Sequence, residues 1–348
     1  MSTWSPKVQS PRRTTFVVLL SRTIWFLCWL YLFVVVLAWG CLRYGADRHW
    51  LGTLLEFGPR WVLLVPLAPL ALGATIWNWR LWWIIGAVLI VVLGPVWGLS
   101  LPWSAIGFAK PTALQLRVLT LNTDGRADPS AVLALVEESQ VDVVFLQECR
   151  RPELWVKQFG PEWHVLYEDE FVVAAKYPLT DLEPLSMEDQ VPWDRCAVRC
   201  QVSTTLGSVH LVNLHTYSPR KGLEAVRHRE NNAIGTLQKN IMWRRKEALA
   251  ISAWTASLRG PMIIAGDFNQ AAGSTAYEDC WGRYANAFSE SGLGWGATFY
   301  SRWHGVRIDH VLISDDWQAR ECWSARHVGS AHRPVIATLQ ARRAEGSR

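Results

Sequence analysis

The stretch IIAGDFNQ, residues 263–270, places a carboxylate and an amide directly after an apolar run that is typical of a buried strand. Gly266 lets the chain turn closely, Asp267 supplies the carboxylate and Asn269 supplies the amide. A G-D-x-N sequence is also an ordinary turn. Taken alone, this stretch therefore predicts a strand and a turn, and its chemical meaning depends on the rest of the chain.

Five other short polar motifs end or follow apolar, strand-like runs. They are LTLNTD (119–124), VVFLQE (143–148), VNLHTY (212–217), RIDH (307–310) and SAHRP (330–334). Together the six motifs place these polar residues on or near predicted strands: Asn122, Glu148, His215, Asp267, Asn269, Asp309 and His332. In this combination and order, the motifs predict a metal-assisted site that cleaves phosphoesters.

Phosphoester hydrolysis needs these residue types. The negative charge of a phosphodiester repels a nucleophile, so an enzyme needs a hard cation, an activated water and a proton donor for the leaving group. Mg²⁺ prefers carboxylate oxygen and water as ligands. Glu148 follows the apolar run 143–146 and Gln147, and it is the preferred metal-ligand candidate. A lone glutamate at a strand end is usually just solvated, so the other motifs decide in favour of a metal site.

The RIDH motif places Asp309 and His310 on opposite faces of a strand, so only one of them can face a cleft. An aspartate that accepts a hydrogen bond from a histidine fixes its tautomer and raises its basicity. We predict that Asp309 pairs with His332. His215 would be a second imidazole, at the phosphate or the leaving group. The histidines outside these motifs, including His304, are predicted to be structural or surface residues.

The motifs LNTD, QE, LHTY, GDFN, IDHVLIS and SAHRP occur in the order found in the endonuclease/exonuclease/phosphatase superfamily, the DNase I-like fold. The chain resembles this superfamily over about residues 114–340. The resemblance implies an α/β domain built as a four-layer sandwich, with two mixed sheets between helices. It also implies that Glu148 binds the metal, with Asp124 and Asn122 in support, and that the metal is Mg²⁺, or Mn²⁺. Asn122 would also contact the substrate.

The same resemblance implies the remaining roles. Asp267 would orient or activate the attacking water, and Asn269 would hold the phosphate. His215 would bind the phosphate or assist the leaving group. His332, paired with Asp309, would complete the acid/base set.

One position departs from the family pattern. The family usually has Ser-Asp-His where this chain has Ser330, Ala331 and His332. The missing aspartate normally contributes to the surroundings of the metal and the histidine. Its loss leaves the Asp309–His332 pair intact, but it leaves open whether the chain has a second metal site or full activity.

Three charge-free windows precede the motifs: Thr23–Leu42, Trp61–Trp79 and Leu81–Trp103. Each is close to the roughly 20 residues that a helix needs to cross a bilayer. Buried helices of a soluble core are the alternative, but these are seldom so long and so uniformly apolar. The chain is thus predicted to have these parts: an N-terminal tail (1–22), three transmembrane helices (23–103), a linker (104–113), the endonuclease/exonuclease/phosphatase domain (114–340) and a C-terminal tail (341–348).

Within the domain, strand and helix patterns alternate, which predicts a layered α/β fold. The predicted elements include strands over 114–121, 143–146 and 165–175, a helix over 129–139 capped by Asp128, and two helices within 223–258 that break near Asn231–Gly235.

The charge is unevenly distributed. Residues 1–110 carry a net charge of +7, and the rest of the chain carries −2. The basic tail, with Lys7, Arg12, Arg13 and Arg22, predicts a cytoplasmic N-terminus, and three crossings then place the catalytic domain outside the cell membrane. The near-neutral domain lacks the broad positive field of a non-specific nuclease, so nucleic acid is disfavoured as a partner. The basic stretch KNIMWRRK, Lys239–Lys246, is either a contact for anionic headgroups or a solvated helix face.

Three spans followed by this domain also resemble a bacterial membrane group that includes vancomycin- and teicoplanin-resistance proteins. That resemblance implies an extracytoplasmic enzyme acting on lipid phosphates of the envelope. The leading hypothesis is a Mg²⁺-dependent hydrolase of lipid or lipid-linked phosphoesters. A membrane-anchored nuclease and a catalytically impaired member that binds phospholipid or a partner are the alternatives. The sequence sets no oligomeric state.

Overall fold

A computed structural model describes residues 11–102, 115–187, 195–205 and 207–342. The predicted linker, residues 104–113, lies outside the described residues. The N-terminal part is helical and contains α1 (Pro11–Gly40), α2 (Trp50–Glu56), α3 (Leu67–Trp77) and α4 (Trp82–Val91), with short π or 3-10 turns at 41–45, 60–64, 79–81 and 92–96. The chain forms two compact units, one with α1, α3 and α4, and one that joins residues 42–59 to the chain from Gly98 onward.

Three helical stretches are long and apolar enough to cross a membrane: Thr15–Gly45, Arg60–Trp77 and Trp79–Val96. They correspond to the three predicted spans. The first helix begins at Pro11, inside the predicted tail, because Phe16–Leu20 is already apolar and the three arginines of its first half do not interrupt a helix. Exposed apolar side chains line α1, which suits a hydrocarbon environment better than water.

The second unit is built from strands and helices in alternation. Its strands are β1 (Gln115–Asn122), β2 (Val143–Gln147), β3 (His164–Glu168), β4 (Phe171–Ala175), β5 (Leu179–Ser186), β6 (Arg195–Thr204), β7 (Gly207–His215), β8 (Met262–Asp267), β9 (Ala285–Asn286), β10 (Phe299–Tyr300), β11 (Gly305–Val306), β12 (Asp309–Ile313), β13 (Trp317–Ser324) and β14 (Val335–Ala341). Its remaining helices are α5 (Pro129–Glu138), α6 (Pro152–Gln158), α7 (Arg220–Arg227), α8 (Ala233–Ala256), α9 (Thr275–Trp281) and α10 (Ala287–Ser291).

Two six-stranded sheets form the centre of this unit, in the orders β13-β14-β1-β2-β4-β3 and β5-β6-β7-β8-β12-β9. Both are mixed, because β1 is parallel to β2 and β7 is parallel to β8, whereas the other pairs are antiparallel. One apolar cluster lies between the two sheets. A second cluster packs one sheet against its outer helices, and a third does the same for the other sheet. This is the predicted four-layer sandwich with two mixed sheets.

Several local predictions are confirmed. Asp128 caps α5 by accepting a hydrogen bond from the Ser130 amide at 3.1 Å, and the break between α7 and α8 includes Asn232 in the left-handed region. The predicted strand over 165–175 is instead the hairpin β3–β4, because Asp169 adopts a φ of 51° and reverses the chain.

The register of the parallel pairs brings the polar motifs together. Asn122 at the end of β1 is level with Gln147 at the end of β2. His215 at the end of β7 is level with Asp267 at the end of β8, and Asp309 is level with Asp267 across the antiparallel pair. The site therefore lies where the carboxyl ends of the two parallel pairs meet.

Candidate active site

Three of the site residues follow their strands in the left-handed region of backbone space. Glu148, Asp124 and Asn269 have φ angles of 54°, 49° and 47°. Non-glycine residues seldom adopt this region, and they do so mostly where the surrounding structure enforces it, as at functional sites. Here the sharp turn after each strand aims the polar side chain back toward the neighbouring strand ends.

Gly266 is required by a close approach between β7 and β8. Its φ is 149°, and a Cβ atom at this position would lie 1.9 Å from the carbonyl oxygen of Leu214. No side chain fits there, so glycine permits the pairing that sets His215 beside Asp267. The sequence indicated a close turn here, and the structure shows that the close contact is with the adjacent strand.

Asn122 is fully buried and forms hydrogen bonds with two carboxylates. Its Nδ2 donates to Oε1 of Glu148 at 2.8 Å and to Oδ2 of Asp267 at 3.0 Å. Its Oδ1 accepts from the Asp124 amide at 2.9 Å. Because both ends of the amide are bonded, Asn122 positions the predicted metal ligand relative to the predicted base.

Asp267 lies at the centre of the cluster and is fully buried. Its Oδ1 accepts from the Asn269 amide at 2.9 Å, and its Oδ2 lies 3.7 Å from Nε2 of His215 and 3.8 Å from Nε2 of His332. Burial, and next the charge of Asp309, raise the pKa of the Asp267 carboxyl. A carboxylate with a raised pKa is a stronger base, which suits proton abstraction from water.

The predicted pair of Asp309 and His332 is confirmed. Nδ1 of His332 donates to the Asp309 carboxylate, with distances of 2.9 and 3.1 Å to its two oxygens. Burial alone would lower the pKa of His332, but the charges of Asp309 and Asp267 outweigh it and raise that pKa to about 9. The imidazole is therefore protonated at neutral pH, with Nε2–H directed toward Asp267.

Ser330 fixes the backbone on which His332 stands. Its hydroxyl donates to the Asn122 carbonyl at 2.6 Å and accepts from the His332 amide at 3.0 Å. The ring of Phe299 packs against the His332 ring, with centroids 5.1 Å apart. The motif thus retains its serine and its histidine in place, while Ala331 adds no carboxylate to the cluster.

His310 occupies the opposite face of β12, as predicted. Its Nε2 donates to the Gln270 carbonyl at 2.8 Å, which leaves Nδ1 to accept from Nδ2 of Asn286 at 3.2 Å. Burial lowers the pKa of His310 to about 3. This histidine is therefore a neutral part of the core and has no access to the site.

His215 and Asn269 complete the predicted set. Nε2 of His215 is 3.6 Å from Oε1 of Glu148, which is longer than a hydrogen bond, so this nitrogen stays available for a phosphate oxygen. Nδ2 of Asn269 donates to the Thr216 carbonyl at 2.8 Å, and the residue lines the same pocket as His215.

Two sets of residues offer ligands to a divalent metal. Glu148 and Asp124, the predicted ligands, both line one pocket. Asp267, Asp309 and His332 form a buried group whose ligand atoms lie within 4.8 Å of one another. Carboxylate donors fit Mg²⁺ and Mn²⁺ in both sets, but the second set also includes an imidazole that these ions seldom choose.

The pocket has a volume of about 550 Å³ and extends well beyond the predicted residues. The sequence predicted no role in the site for several of its lining residues, and it predicted His304 to be a structural or surface residue. The missed residues include Phe57, Tyr217, Arg220, Lys221, Arg227 and His304. For Arg220 and Lys221, the signal was their position just after the LHTY motif, whereas nothing in the local sequence marks Phe57.

A sequence model of the Endonuclease/Exonuclease/phosphatase family matches residues 119–332, which contain every predicted site residue. The chain belongs to this family. Its members hydrolyse phosphoester bonds as phosphatases or nucleases, and they generally depend on a divalent metal ion.

Solved structures of TDP2 show the same fold. Humanized D. rerio TDP2 is 14% identical, with a TM-score of 0.52, and the match covers 65% of this chain and 99% of that one. D. rerio TDP2 complexed with single strand DNA product has the same identity and coverage, 14%, 65% and 99%, with a TM-score of 0.50. An endonuclease/exonuclease/phosphatase from Bacteroides vulgatus is 17% identical, with a TM-score of 0.49 and coverage of 66% and 100%. A search of proteins with curated functions found no match.

Proposed function

We propose that this chain is a metal-dependent hydrolase of phosphoesters carried by lipids or lipid-linked phosphates at a membrane surface. The observation that carries the proposal is a single pocket in which the catalytic cluster adjoins both cations and apolar side chains. A chain with three candidate membrane spans has direct access to such substrates.

The metal site of this proposal is formed by Glu148 with Asp124. Both oxygens of Asp309 already face Nδ1 of His332, and the buried Asp267 lies 3.7 and 3.8 Å from Nε2 of His215 and His332, so the second carboxylate set is better suited to proton transfer. A bound divalent ion would neutralise phosphate charge and polarise the reacting phosphoryl group.

The protein groups then account for the proton movements. A water oxygen forms the new bond to phosphorus while its proton passes to Asp267, whose raised pKa favours this transfer. The ester P–O bond breaks as His332 gives a proton to the leaving oxygen. Asp309 keeps His332 in the required tautomer, and His215 donates from Nε2 to a phosphate oxygen.

The rest of the pocket suits an amphiphilic substrate. Arg220, Lys221 and Arg227 of α7 line it with their side chains exposed, and none of the three forms an ion pair with the residues that the structure describes. Glu224, on the same helix, also lines the pocket and only partly offsets their charge. Apolar side chains form the remaining wall, among them Leu223, Phe299, Val306 and Ile308. Cations near a phosphoester and an apolar wall beside it match a lipid phosphate.

The proposed location is the outer face of a cell membrane. The basic N-terminal tail supports a cytoplasmic N-terminus under the positive-inside rule. An odd number of crossings then places the catalytic domain on the extracytoplasmic side.

Hydrolysis by the purified full-length protein in detergent, followed as free phosphate, as released phosphorylated headgroup or as nicked plasmid, tests the function. The substrates are undecaprenyl phosphate, phospholipids, sphingomyelin and plasmid DNA, each with Mg²⁺, with Mn²⁺ or with EDTA. We expect metal-dependent turnover of a lipid, abolished by Glu148→Ala and retained by the surface control His327→Gln. Cleavage of DNA alone would instead support a membrane-anchored nuclease.

Ala331 allows a separate test of the impaired, lipid-binding alternative. If the wild type turns over a lipid phosphate, the carboxylates of Asp267 and Asp309 suffice to keep His332 protonated. Ala331→Asp should then change the rate only modestly. A folded wild type that is silent on every substrate, with activity gained in Ala331→Asp, would show that the natural chain is a binding protein.

A further inference from the structure

The segment between α1 and α3, residues 42–59, packs as part of the catalytic unit; we call it the interhelical segment. Two of its arginines form ion pairs with α9. Arg43 Nη2 lies 2.6 Å from Oε2 of Glu278, and Arg48 Nη2 lies 2.6 Å from Oδ2 of Asp279. These charges are thus bound to the catalytic domain.

A fully buried ion pair fixes the centre of the interhelical segment. Arg244 of α8 donates from Nε to Oδ1 of Asp47 at 2.8 Å and makes a second contact from Nη2, and neither residue is exposed. Both interpretations of the KNIMWRRK stretch are therefore wrong for Arg244. Its guanidinium contacts neither headgroups nor solvent, because it is the counter-ion of Asp47.

The end of α2 holds the catalytic loop. Glu56 is buried, and its Oε1 accepts from the Ala271 amide at 2.9 Å. Ala271 follows the GDFNQ motif that contains Asp267 and Asn269. The carboxylate of Glu56 therefore restrains the loop that directly follows the proposed base.

Phe57 brings the interhelical segment into the pocket. Its carbonyl accepts from Nε2 of His304 at 2.7 Å, and its ring lies 5.7 Å from the guanidinium carbon of Arg244. With its backbone and its ring both held, the side chain lines the pocket that contains Glu148 and His332. Only Gly58 and Pro59 separate Phe57 from the candidate span that begins at Arg60.

We propose that the interhelical segment forms part of the substrate-binding site. Phe57 is its specificity-determining residue and contacts the apolar chain next to the phosphoester. Glu56, Asp47 and Arg244 are positioning residues that hold it there. This inference rests on the proposed function, since it assigns the apolar part of that substrate to a named side chain. In the competing role, the interhelical segment only stabilises the fold and does not contact the substrate. The ion pairs are then the same, but Phe57 has no influence on the selectivity between substrates.

Two diesters that differ only in their apolar chain separate these roles. Methyl 4-nitrophenyl phosphate and octyl 4-nitrophenyl phosphate share the leaving group, and each methylene taken out of water changes affinity roughly fourfold. We expect Phe57→Ala to lower the octyl-to-methyl ratio of kcat/KM at least about tenfold. Phe57→Leu should recover part of the ratio. Equal losses on both substrates would overturn the proposal.

Leu51→Ala is the matched control, because Leu51 is an exposed apolar residue of α2 that does not line the pocket. Its ratio should stay within about twofold of the wild type. A fall in this variant equal to that of Phe57→Ala would assign the selectivity to α2 in general and overturn the role of Phe57.

A second measurement does not depend on turnover. Phe57→Cys is combined with Cys41→Ser, since the other native cysteines are buried, and alkylation by N-ethylmaleimide is timed with octyl phosphate, methyl phosphate or no ligand. We expect octyl phosphate alone to slow the reaction at position 57, and no ligand to slow it in a Leu51→Cys control. Protection without hydrolysis of any phosphoester would refute the proposed function but keep the contact. Hydrolysis without protection would refute the contact.

Discussion

Two buried histidines differ in protonation because the charges next to them differ. His332 and His310 are both shielded from solvent, and burial alone would lower the pKa of each. His332 faces the carboxylates of Asp309 and Asp267, so its pKa rises to about 9. For His310, burial and next the positive charge of Arg307 lower the pKa to about 3. Proximity to carboxylates therefore separates a proton donor from a core residue.

Replacing the partner of His332 tests its role as a proton donor. Asp309→Asn keeps the size of the side chain but removes the charge that holds His332 protonated. We expect kcat to fall about 10²- to 10⁴-fold, the usual contribution of an acid/base group, with little change in KM. Steady-state kinetics with an alkyl phosphoester, whose alkoxide leaving group needs a proton, provides the check. Wild-type kcat in this variant would exclude His332 as the acid.

His310 makes the stability of the fold depend on pH. Because its folded pKa lies below the unfolded value of 6.5, its contribution is complete above about pH 6.5 and is lost as pH falls toward about 3. Each pH unit within this window costs about 1.4 kcal/mol of unfolding free energy. His310→Gln should flatten the fall in Tm between pH 6.5 and 5. The exposed His327→Gln is the control, and identical acid sensitivity in both variants would contradict this assignment.

Most of the cluster was predictable because its residues follow strands in recognisable motifs. Alternation along β12 placed Asp309 and His310 on opposite faces, and the preferred pairing with His332 then favoured Asp309 for the cleft. Phe57 and His304 were not predictable, since each enters the pocket through contacts across a sequence separation of 247 residues. Such contacts leave no periodic pattern in the sequence.

At the scale of an element, the interhelical segment contrasts with the rest of the fold. Helix α5 was predicted closely, because its cap and its first proline are local signals. The exposed strand β5 was missed, since it contains Pro184 and lacks a continuous apolar face. The interhelical segment lies within the predicted membrane region of residues 23–103, but Arg43, Asp47 and Arg48 form ion pairs with the folded catalytic unit.

The ion pair between Asp47 and Arg244 should dominate the stability of the interhelical segment. Asp47→Asn leaves the Arg244 cation buried without its counter-charge, which costs about 3–5 kcal/mol. Arg48→Gln breaks the exposed pair with Asp279 and should cost at most about 1 kcal/mol. Chemical unfolding of both full-length variants, followed by tryptophan fluorescence, compares the two losses. Equal small losses of unfolding free energy would mean that the buried pair stabilises the protein no more than the exposed pair does.

At the scale of the whole molecule, the contacts of the interhelical segment restrict the membrane topology. Residues 42–59 and the catalytic domain touch through Arg43–Glu278 and Asp47–Arg244, so both lie on one side of any membrane that the chain spans. The chain between them must then cross the membrane an even number of times, as it does if α3 and α4 each cross once. A crossing by α1 places the N-terminus on the opposite side.

Cysteine labelling in intact cells tests this topology and its direction. In a Cys41→Ser background, a membrane-impermeant maleimide should label Leu51→Cys and His327→Cys from outside, because both positions are exposed and lie in the catalytic unit. Asn78→Cys, between α3 and α4, should react only after permeabilisation, since the basic tail favours a cytoplasmic N-terminus. Labelling of position 78 alone would reverse the direction and place the site in the cytoplasm. Labelling of positions 51 and 327 from different sides would contradict the contacts themselves.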